Sequence, residues 1–318
     1  MNRICSKTNR SIIMGISIIP VILCHITQFI GEYKNLHSSI TDEFLFVSAA
    51  VGVDVFFFFS LVGLGYSFRK NSLKVFYKNR LKRIYPSYML FLIVVPCIFY
   101  TAPVKEKIIL FLEQVSGASI FFNNKIEWYL PSLIVLYASY PLLFKASELV
   151  HRNTRYEILC LMLLIFGAYP LYFLVDGLFA MRLPLYFLAI ITFLYMEEGR
   201  ENNDNLIALF LLSVTASFFI KNQILSYALI IPLFLYVLDS RIDRIAATKW
   251  GGVFSFLGKY TLQIYLAQII ATKYLILYIP TNNIPIIVIL VLITTAFFAI
   301  IFYQFEKLIT KITSHIFK

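Results

Sequence analysis

The chain has 318 residues, of which 60% are hydrophobic and 14% are charged, and its formal net charge is +11. Charged residues make up about a quarter of a typical soluble domain, so this composition excludes an ordinary soluble protein. The Lys and Arg residues stand at the ends of apolar runs, not in a basic surface interleaved with aromatic residues, which argues against a nucleic-acid-binding protein. The four cysteines have no paired spacing and predict neither a disulfide framework nor a metal site. Composition therefore predicts an all-α, polytopic membrane protein.

Ten apolar segments approach the length of about twenty helical residues that crosses a hydrocarbon core. They are Ser11–Ile30, Phe44–Phe68, Ile84–Tyr100, Glu127–Phe144, Ile158–Val175, Leu183–Met196, Leu206–Ile220, Gln223–Leu238, Val253–Leu277 and Ile284–Phe305. The first is too long for the apolar region of a signal peptide and has no small-residue cleavage site after it, so we expect it to be retained. We expect ten transmembrane helices in one membrane domain covering residues 1–318.

The cationic residues are distributed unevenly between the two predicted sides of the membrane. With the N terminus in the cytoplasm, ten spans place both termini there, and 21 of the 28 Lys and Arg residues fall on that side. This bias is the positive-inside signature. Seven of the 21 lie in one predicted cytoplasmic loop, Arg69–Arg83. The longest outer loop, about Thr101–Ile126, carries an apolar patch that we expect to lie in the membrane interface.

Two ionisable residues are predicted to lie deep in the membrane, where a charge is costly and points to function. His25 is about 21 Å from the cytoplasmic start of the first span, and Asp54 is about 15 Å from the outer start of the second. Neighbouring antiparallel helices would bring the two together, with the carboxylate orienting the imidazole as a general base. We therefore predict His25 and Asp54 as catalytic residues. The alternative is a hydrogen bond that only joins two helices.

Arg80 and Arg83 stand three residues apart at the entry to the third span, and they share a face if this stretch is helical. Planar guanidinium groups form bidentate contacts with phosphate, which predicts a phosphate-bearing donor substrate. The alternative is that the seven cations serve only membrane orientation and contact with anionic lipid.

Motifs along most of the chain carry a resemblance to a known family. They are Gly15 through His25, Gly52–Phe57 with Ser60, Arg80–Pro86, Trp128–Pro131 with Tyr137 and Pro141, Arg182–Pro184 before Tyr186 and Phe187, Leu257–Gly258 with Tyr265 and Leu266, and Phe305–Lys307. In their order and spacing the chain resembles the membrane-bound acyltransferase family 3, which O-acylates surface polysaccharides and related cell-envelope acceptors.

The resemblance implies an O-acyltransferase of the inner (plasma) membrane that uses acetyl-CoA or another acyl-CoA as donor substrate, with no permanently bound cofactor. Its partners would be this donor, an envelope glycan or lipid-linked sugar, and membrane lipids. His25 matches the histidine of the family, and Arg80 and Arg83 match the arginine pair thought to bind the acyl donor. The candidate supporting residues are Arg10, Tyr85, Trp128 and Arg182, although Trp128 is equally suited to be an interfacial anchor and Arg182 to pair with Asp176.

Three positions depart from the family pattern. Met14 replaces an arginine eleven residues before the histidine, and Arg10, one turn earlier, is the candidate substitute. Leu133 stands where many relatives have an acidic residue, and Gln268 replaces a histidine often found in the ninth span. These departures leave open an altered or inactive member. The remaining histidines, His37, His151 and His315, lie in predicted loops or the tail and receive no role.

Two other functions remain open at this point. A transporter or flippase for polysaccharide or lipid-linked sugar would share the basic inner face and the many spans, but such proteins show inverted repeats or spans broken at matched positions. Neither feature is clear in this sequence. A polysaccharide polymerase would usually carry a larger outer loop than the one predicted here.

Overall fold

A computed structural model describes residues 1–34, 39–122, 126–278 and 283–316, and these contain helices but no strand. The α-helices are α1 Asn2–Cys5, α2 Lys7–Lys34, α3 Ser39–Lys70, α4 Leu73–Phe99, α5 Val104–Ser116, α6 Tyr129–His151, α7 Thr154–Leu171, α8 Gly177–Ala180, α9 Leu183–Glu197, α10 Asp204–Phe219, α11 Gln223–Asp239, α12 Ile242–Ala246, α13 Gly251–Lys259, α14 Thr261–Tyr278 and α15 Ile284–Ile316. A short 3-10 helix spans Ala118–Phe121. The all-α prediction is confirmed. His37 lies outside the described residues.

Within the described residues, seven helical segments are long and apolar enough to cross a membrane. They are Lys7–Glu32, Phe44–Lys70, Leu73–Phe99, Tyr129–His151, Thr154–Leu171, Gly177–Glu197 and Ile284–Ile312. These correspond to the first six predicted spans and the tenth. The seventh and eighth predicted spans are the shorter apolar helices Asp204–Phe219 and Gln223–Asp239. The chain is therefore a multi-pass membrane protein, while ten crossings and the cytoplasmic termini stay predictions.

The ninth predicted span, Val253–Leu277, is not one helix. It is divided at Tyr260 into α13 and α14. The Thr261 hydroxyl lies 2.9 Å from the Gly258 carbonyl and 3.2 Å from the Leu257 carbonyl, both at the end of α13. A threonine hydroxyl that binds such carbonyls competes with continued helical hydrogen bonding. Hydropathy shows a continuous apolar stretch here and does not detect this local competition.

The prediction that Arg69–Arg83 forms a loop is wrong, because the segment is almost entirely helical. Only Asn71 and Ser72 separate α3 from α4, so all seven of its cations lie on helices. Lys and Arg are good helix formers. Phe76 gives the first turn of α4 a fully buried apolar contact, and the Tyr77 hydroxyl donates to the Ala138 carbonyl at 2.9 Å. These contacts explain why the helix begins before the apolar stretch does.

The predicted outer loop Thr101–Ile126 contains the amphipathic helix α5. Ile108 and Leu112 are exposed on it, at 54% and 58%. Gly117 ends the helix in the left-handed conformation, with φ of 81°. A Cβ at Gly117 would lie 2.9 Å from a methyl group of Val135, so both the backbone and the space require glycine. The exposed apolar face fits the predicted interfacial position, which stays a prediction.

The described chain divides into two compact units. The first unit comprises Met1–Arg10, Asp54–Lys78 and Ala102–Thr248, and the second comprises Ser11–Val53, Asn79–Thr101 and Lys249–Lys318. In the first unit α9 packs against α6, α7 and α11, and α10 packs against α11. In the second unit α14 packs along α15.

A polar cluster joins the ends of three helices in the first unit. Glu157 is fully buried and accepts hydrogen bonds from the Tyr195 hydroxyl at 2.9 Å and from His151. His151 also contacts Glu198, which binds Arg200. Burial raises the pKa of Glu198, but the hydrogen bonds from Arg200 and His151 outweigh it and hold that pKa below its usual value. His151 thus has a structural role that its predicted loop position did not suggest.

Candidate active site

His25 lies in the membrane-crossing part of α2 and is partly accessible. Its Nδ1 is 2.7 Å from the amide nitrogen of Gln268, and its ring centroid is 6.2 Å from that of Tyr265. Gln268 and Tyr265 are three residues apart on α14, so they lie on the same face of that helix. Helix α14 therefore positions the histidine through one hydrogen bond and one aromatic contact. All three residues belong to the second unit.

Close backbone packing fixes the helix that carries His25. A Cβ built at Gly15 on α2 would overlap the Phe254 carbonyl, and a Cβ built at Gly258 on α13 would overlap the Ser11 carbonyl. A Cβ at Gly52 on α3 would lie 2.5 Å from the Ser17 carbonyl oxygen. Small residues let membrane helices approach at backbone distance. Glycines on three helices thus set the position of α2.

Gly258→Ala is expected to lower the amount of folded protein and its melting temperature in detergent. The added methyl group would displace α2, because the atom it meets is backbone and cannot rotate away. Gly252→Ala on the same helix is the matched control, since a Cβ there has open space within 4 Å. That variant should be neutral or gain about 0.5–1 kcal/mol of helix propensity. Equal melting temperatures for the two variants would contradict the tight α2–α13 contact.

Asp54 forms a buried ion pair with Arg182 in the first unit. The two side chains are 0% and 2% exposed, and Arg182 Nε donates to Asp54 Oδ1. Arg182 also donates from Nη1 to the Leu178 carbonyl at 2.8 Å, and its guanidinium carbon lies 4.8 Å from the Trp128 ring centre. Such a pair is maintained away from water only when hydrogen bonds satisfy both charges. Arg182 is the N-cap residue of α9, and its side chain extends from that position to Asp54.

These contacts change the predicted role of Asp54. The sequence predicted that this carboxylate orients His25. In the structure Asp54 pairs with Arg182, and the described hydrogen-bond partner of His25 is Gln268. The two helices are neighbours as predicted, since Gly52 on α3 lies against Ser17 on α2. The inference failed because depth does not fix the face of a helix on which a side chain stands, and Asp54 lies two residues, about 200°, further around α3 than Gly52. Asp176, the partner suggested for Arg182 from the sequence, caps α8 by accepting from the Leu178 amide at 2.7 Å.

The arrangement around Asp54 leaves two polar atoms unused. Among the described residues, neither Asp54 Oδ2 nor the hydroxyl of Tyr186 has a hydrogen-bond partner, and both atoms are buried. The rings of Trp128 and Tyr186 both pack at a tilt against Phe57, at centroid distances of 6.0 and 5.2 Å. Three predicted site residues, Asp54, Trp128 and Arg182, are thus brought together with one that was not predicted.

Arg80 and Arg83 lie on α4, so the stretch that carries them is helical. Residues three apart on a helix share a face, as the sequence analysis required for this pair. Arg83 is exposed and Arg80 is partly buried. Tyr85 lines a cavity of about 330 Å³ whose other walls include Pro86 and Phe305. The exposed wall of the cavity is apolar, and it is formed by α4, which carries the two arginines, and by α15. The second unit therefore holds His25 and the arginine pair.

Glu306 ties the arginine-bearing helix to its neighbours, and sequence analysis did not identify it as a site residue. Its carboxylate accepts from the buried Ser87 hydroxyl at 3.1 Å and from the Gln263 amide at 2.5 Å. Ser87 follows directly after the Arg80–Pro86 element. A signal was present, because Glu306 lies in the Phe305–Lys307 motif, directly after the tenth predicted span.

The predicted substitute Arg10 belongs to the first unit, where it lies beside Gly63. A Cβ at Gly63 would be 3.4 Å from Arg10 Nη1. Leu133 is buried on α6, and Met14 is partly buried on α2. The first two departures from the family pattern are therefore packing residues in the structure, while the third, Gln268, contacts His25.

Comparison with known families decides the class of protein. A family model described as an acyltransferase domain, that of acyltransferase family 3, matches residues 13–303. The chain belongs to acyltransferase family 3. The match covers most of the chain and includes residues of both units. Neither a curated protein nor a solved structure gave a significant match.

Most of the polar groups described above lie within the matched part of this membrane acyltransferase. His25 and Gln268 fall inside it, as do Arg80, Arg83 and the Asp54–Arg182 pair, while Arg10 precedes it and Glu306 follows it.

Proposed function

We propose that this acyltransferase moves an acyl group, most simply acetyl, from cytoplasmic acyl-CoA to a hydroxyl group of a cell-envelope polysaccharide or lipid-linked sugar. The observation that supports this best is His25, an imidazole held by Gln268 within a membrane-crossing helix and still partly accessible. A neutral imidazole near pH 7 is suited to take the proton of a sugar hydroxyl. The protein would work in the inner membrane.

The chemistry would proceed by attack of the hydroxyl oxygen on the thioester carbonyl carbon. His25 takes the hydroxyl proton as the new carbon–oxygen bond forms. The carbon–sulfur bond then breaks, and the proton passes from His25 to the sulfur of the leaving group. The products are a sugar ester and the free thiol of CoA. No redox change occurs, and the histidine returns to its neutral form.

The arginine pair would bind the phosphate groups of the donor. Arg80 and Arg83 lie on one face at the start of a membrane-crossing helix. The positive-inside bias of the sequence predicts that this start lies in the cytoplasm. His25 lies about 21 Å along its own span from the cytoplasmic side. The thioester arm of the donor must therefore extend into the second unit for its carbonyl to reach the histidine.

The experiment that tests this function compares envelope polysaccharide purified from cells with and without the chain. Proton NMR should show O-acetyl signals only when the chain is present, and mild alkali should remove them. A transporter or flippase would instead change the amount of polysaccharide exported and leave its acyl content per sugar unchanged. That outcome would overturn the acyl-transfer proposal.

Changing Arg80 and Arg83 together to Lys is expected to raise the KM for acyl-CoA at least about tenfold while insertion into the membrane is normal. Lysine keeps the charge but loses the planar fork that binds phosphate in a bidentate way. The matched control is Arg155→Lys, an exposed arginine at the start of α7. Normal donor affinity in the double variant would reduce the pair to an orientation signal.

A further inference from the structure

Gln268 is a fully buried polar side chain directed at the candidate base. It is 0% exposed on α14, and its amide nitrogen lies 2.7 Å from His25 Nδ1. Among the described residues, its amide oxygen is buried without a hydrogen-bond partner. The cost of burying this amide is thus offset in the described structure only by its contact with the histidine.

The two ends of a glutamine amide have nearly the same shape, and rotation by half a turn exchanges them. The two orientations have opposite effects on the imidazole. If the amide nitrogen donates to Nδ1, the ring hydrogen lies on Nε2, and Nε2 cannot accept a proton. If the amide oxygen accepts from Nδ1–H, Nε2 carries the lone pair and is free to act as a base.

The second orientation also suits the state after proton uptake. The imidazolium carries hydrogens on both ring nitrogens, so Nδ1–H needs an acceptor in both states. The amide oxygen supplies this acceptor without a change of geometry, whereas the amide nitrogen would meet a second donor. A reaction that passes the proton through Nε2 therefore requires the oxygen of Gln268 on Nδ1.

We propose that Gln268 is the positioning residue of His25: its amide oxygen accepts the Nδ1–H and holds the imidazole in the tautomer that leaves Nε2 free for the proton of the acceptor hydroxyl. This proposal rests on the proposed function. In this proposal Gln268 orients the imidazole, the role that the sequence analysis predicted for the carboxylate of Asp54. A neutral amide fixes the tautomer without placing a second charge in the membrane.

The test compares Gln268→Glu with Gln268→Leu, because positioning and structural roles predict opposite rank orders. Glutamate has the same length and still accepts from Nδ1–H, whereas leucine is of similar size and cannot. Positioning predicts that Leu lowers kcat at least about tenfold with an unchanged KM for acetyl-CoA, while Glu stays within about threefold of the wild type. A purely structural contact predicts the reverse, because a buried carboxylate is costlier than a leucine.

Rates are measured with radiolabelled acetyl-CoA and envelope polysaccharide from cells lacking the chain, each normalised to folded protein. The matched control is Thr272→Val, one turn further along α14, where the buried hydroxyl has no partner among the described residues. This control should keep wild-type kcat. Wild-type kcat in Gln268→Leu, or a larger loss in Glu than in Leu, would overturn the positioning role.

A third variant, His25→Ala, distinguishes a failure of the proposed function from a failure of the positioning role of Gln268. If His25→Ala retains wild-type kcat, the proposed function of the histidine fails, and the role of Gln268 fails with it. If His25→Ala is inactive while Gln268→Leu is fully active, only the positioning role fails.

Discussion

His25→Ala is expected to lower the rate of acylation by about 10²–10⁴-fold without lowering the amount of protein in the membrane. The alanine variant has no group at this position that can accept the hydroxyl proton. The described hydrogen bond lost is that with Gln268, and the buried amide left unpaired costs about 1–3 kcal/mol, a fraction of the stability of a typical folded protein. The measurement is the O-acetyl content of polysaccharide per molecule of folded protein.

The control for the histidine variant is Ile16→Ala on the same helix. Ile16 is partly exposed, and its truncation should leave the rate unchanged. Near-normal acylation by His25→Ala would exclude the histidine as the base. A parallel loss of rate in both variants would indicate instead that α2 tolerates no substitution.

Arg182→Met is expected to destabilise the protein by about 3–5 kcal/mol, because it leaves the Asp54 carboxylate buried without its counter-charge. The double variant Asp54→Asn with Arg182→Met should recover part of this loss, since it removes both charges. The effect of the pair is thus strongly non-additive. Melting temperatures of the purified proteins in detergent measure it, together with the amount of each variant in the membrane.

The exposed pair Arg3 and Asp243 provides a control of the same two residue types. These side chains are 62% and 64% exposed with a separation of 3.8 Å, so Arg3→Met should cost less than about 1 kcal/mol. Asp54→Asn then distinguishes the structural role from a catalytic one. If it abolishes acylation at unchanged melting temperature, Asp54 acts in the chemistry and the purely structural account of the pair is wrong.

The sequence predicted the helical class and most of the membrane-crossing segments, because long apolar runs are read directly from composition. It failed where local hydrogen bonding or helix propensity outweighs hydropathy. The ninth predicted span is divided at Tyr260, beside the hydrogen bond from Thr261 to the Gly258 carbonyl. The cations after Lys70 lie on a helix whose buried Phe76 gives it an apolar contact. Neither effect changes the average hydropathy of its segment.

The sequence identified His25 and Asp54 as ionisable residues inside membrane-crossing helices, but it did not identify the side chains that they contact. Depth in the membrane identified His25 and Asp54, since a buried ionisable group is costly wherever its helix packs. Depth does not identify the neighbouring side chains, and Arg182 is 128 residues from Asp54 along the chain. Gln268 was visible only as an uncharged departure from a family pattern. Its contact with His25 depends on the packing of α14, which the sequence does not specify.

The most direct test of the central claim follows an acyl group through the protein. Inside-out membrane vesicles carrying the chain receive radiolabelled acetyl-CoA on their cytoplasmic face, and the glycan fraction is then extracted and treated with mild alkali. The account predicts alkali-labile label in the glycan with the wild-type chain and about 10²–10⁴-fold less with His25→Ala. Equal labelling by the two chains, or no labelling by the wild type in vesicles that contain both substrates, would contradict it.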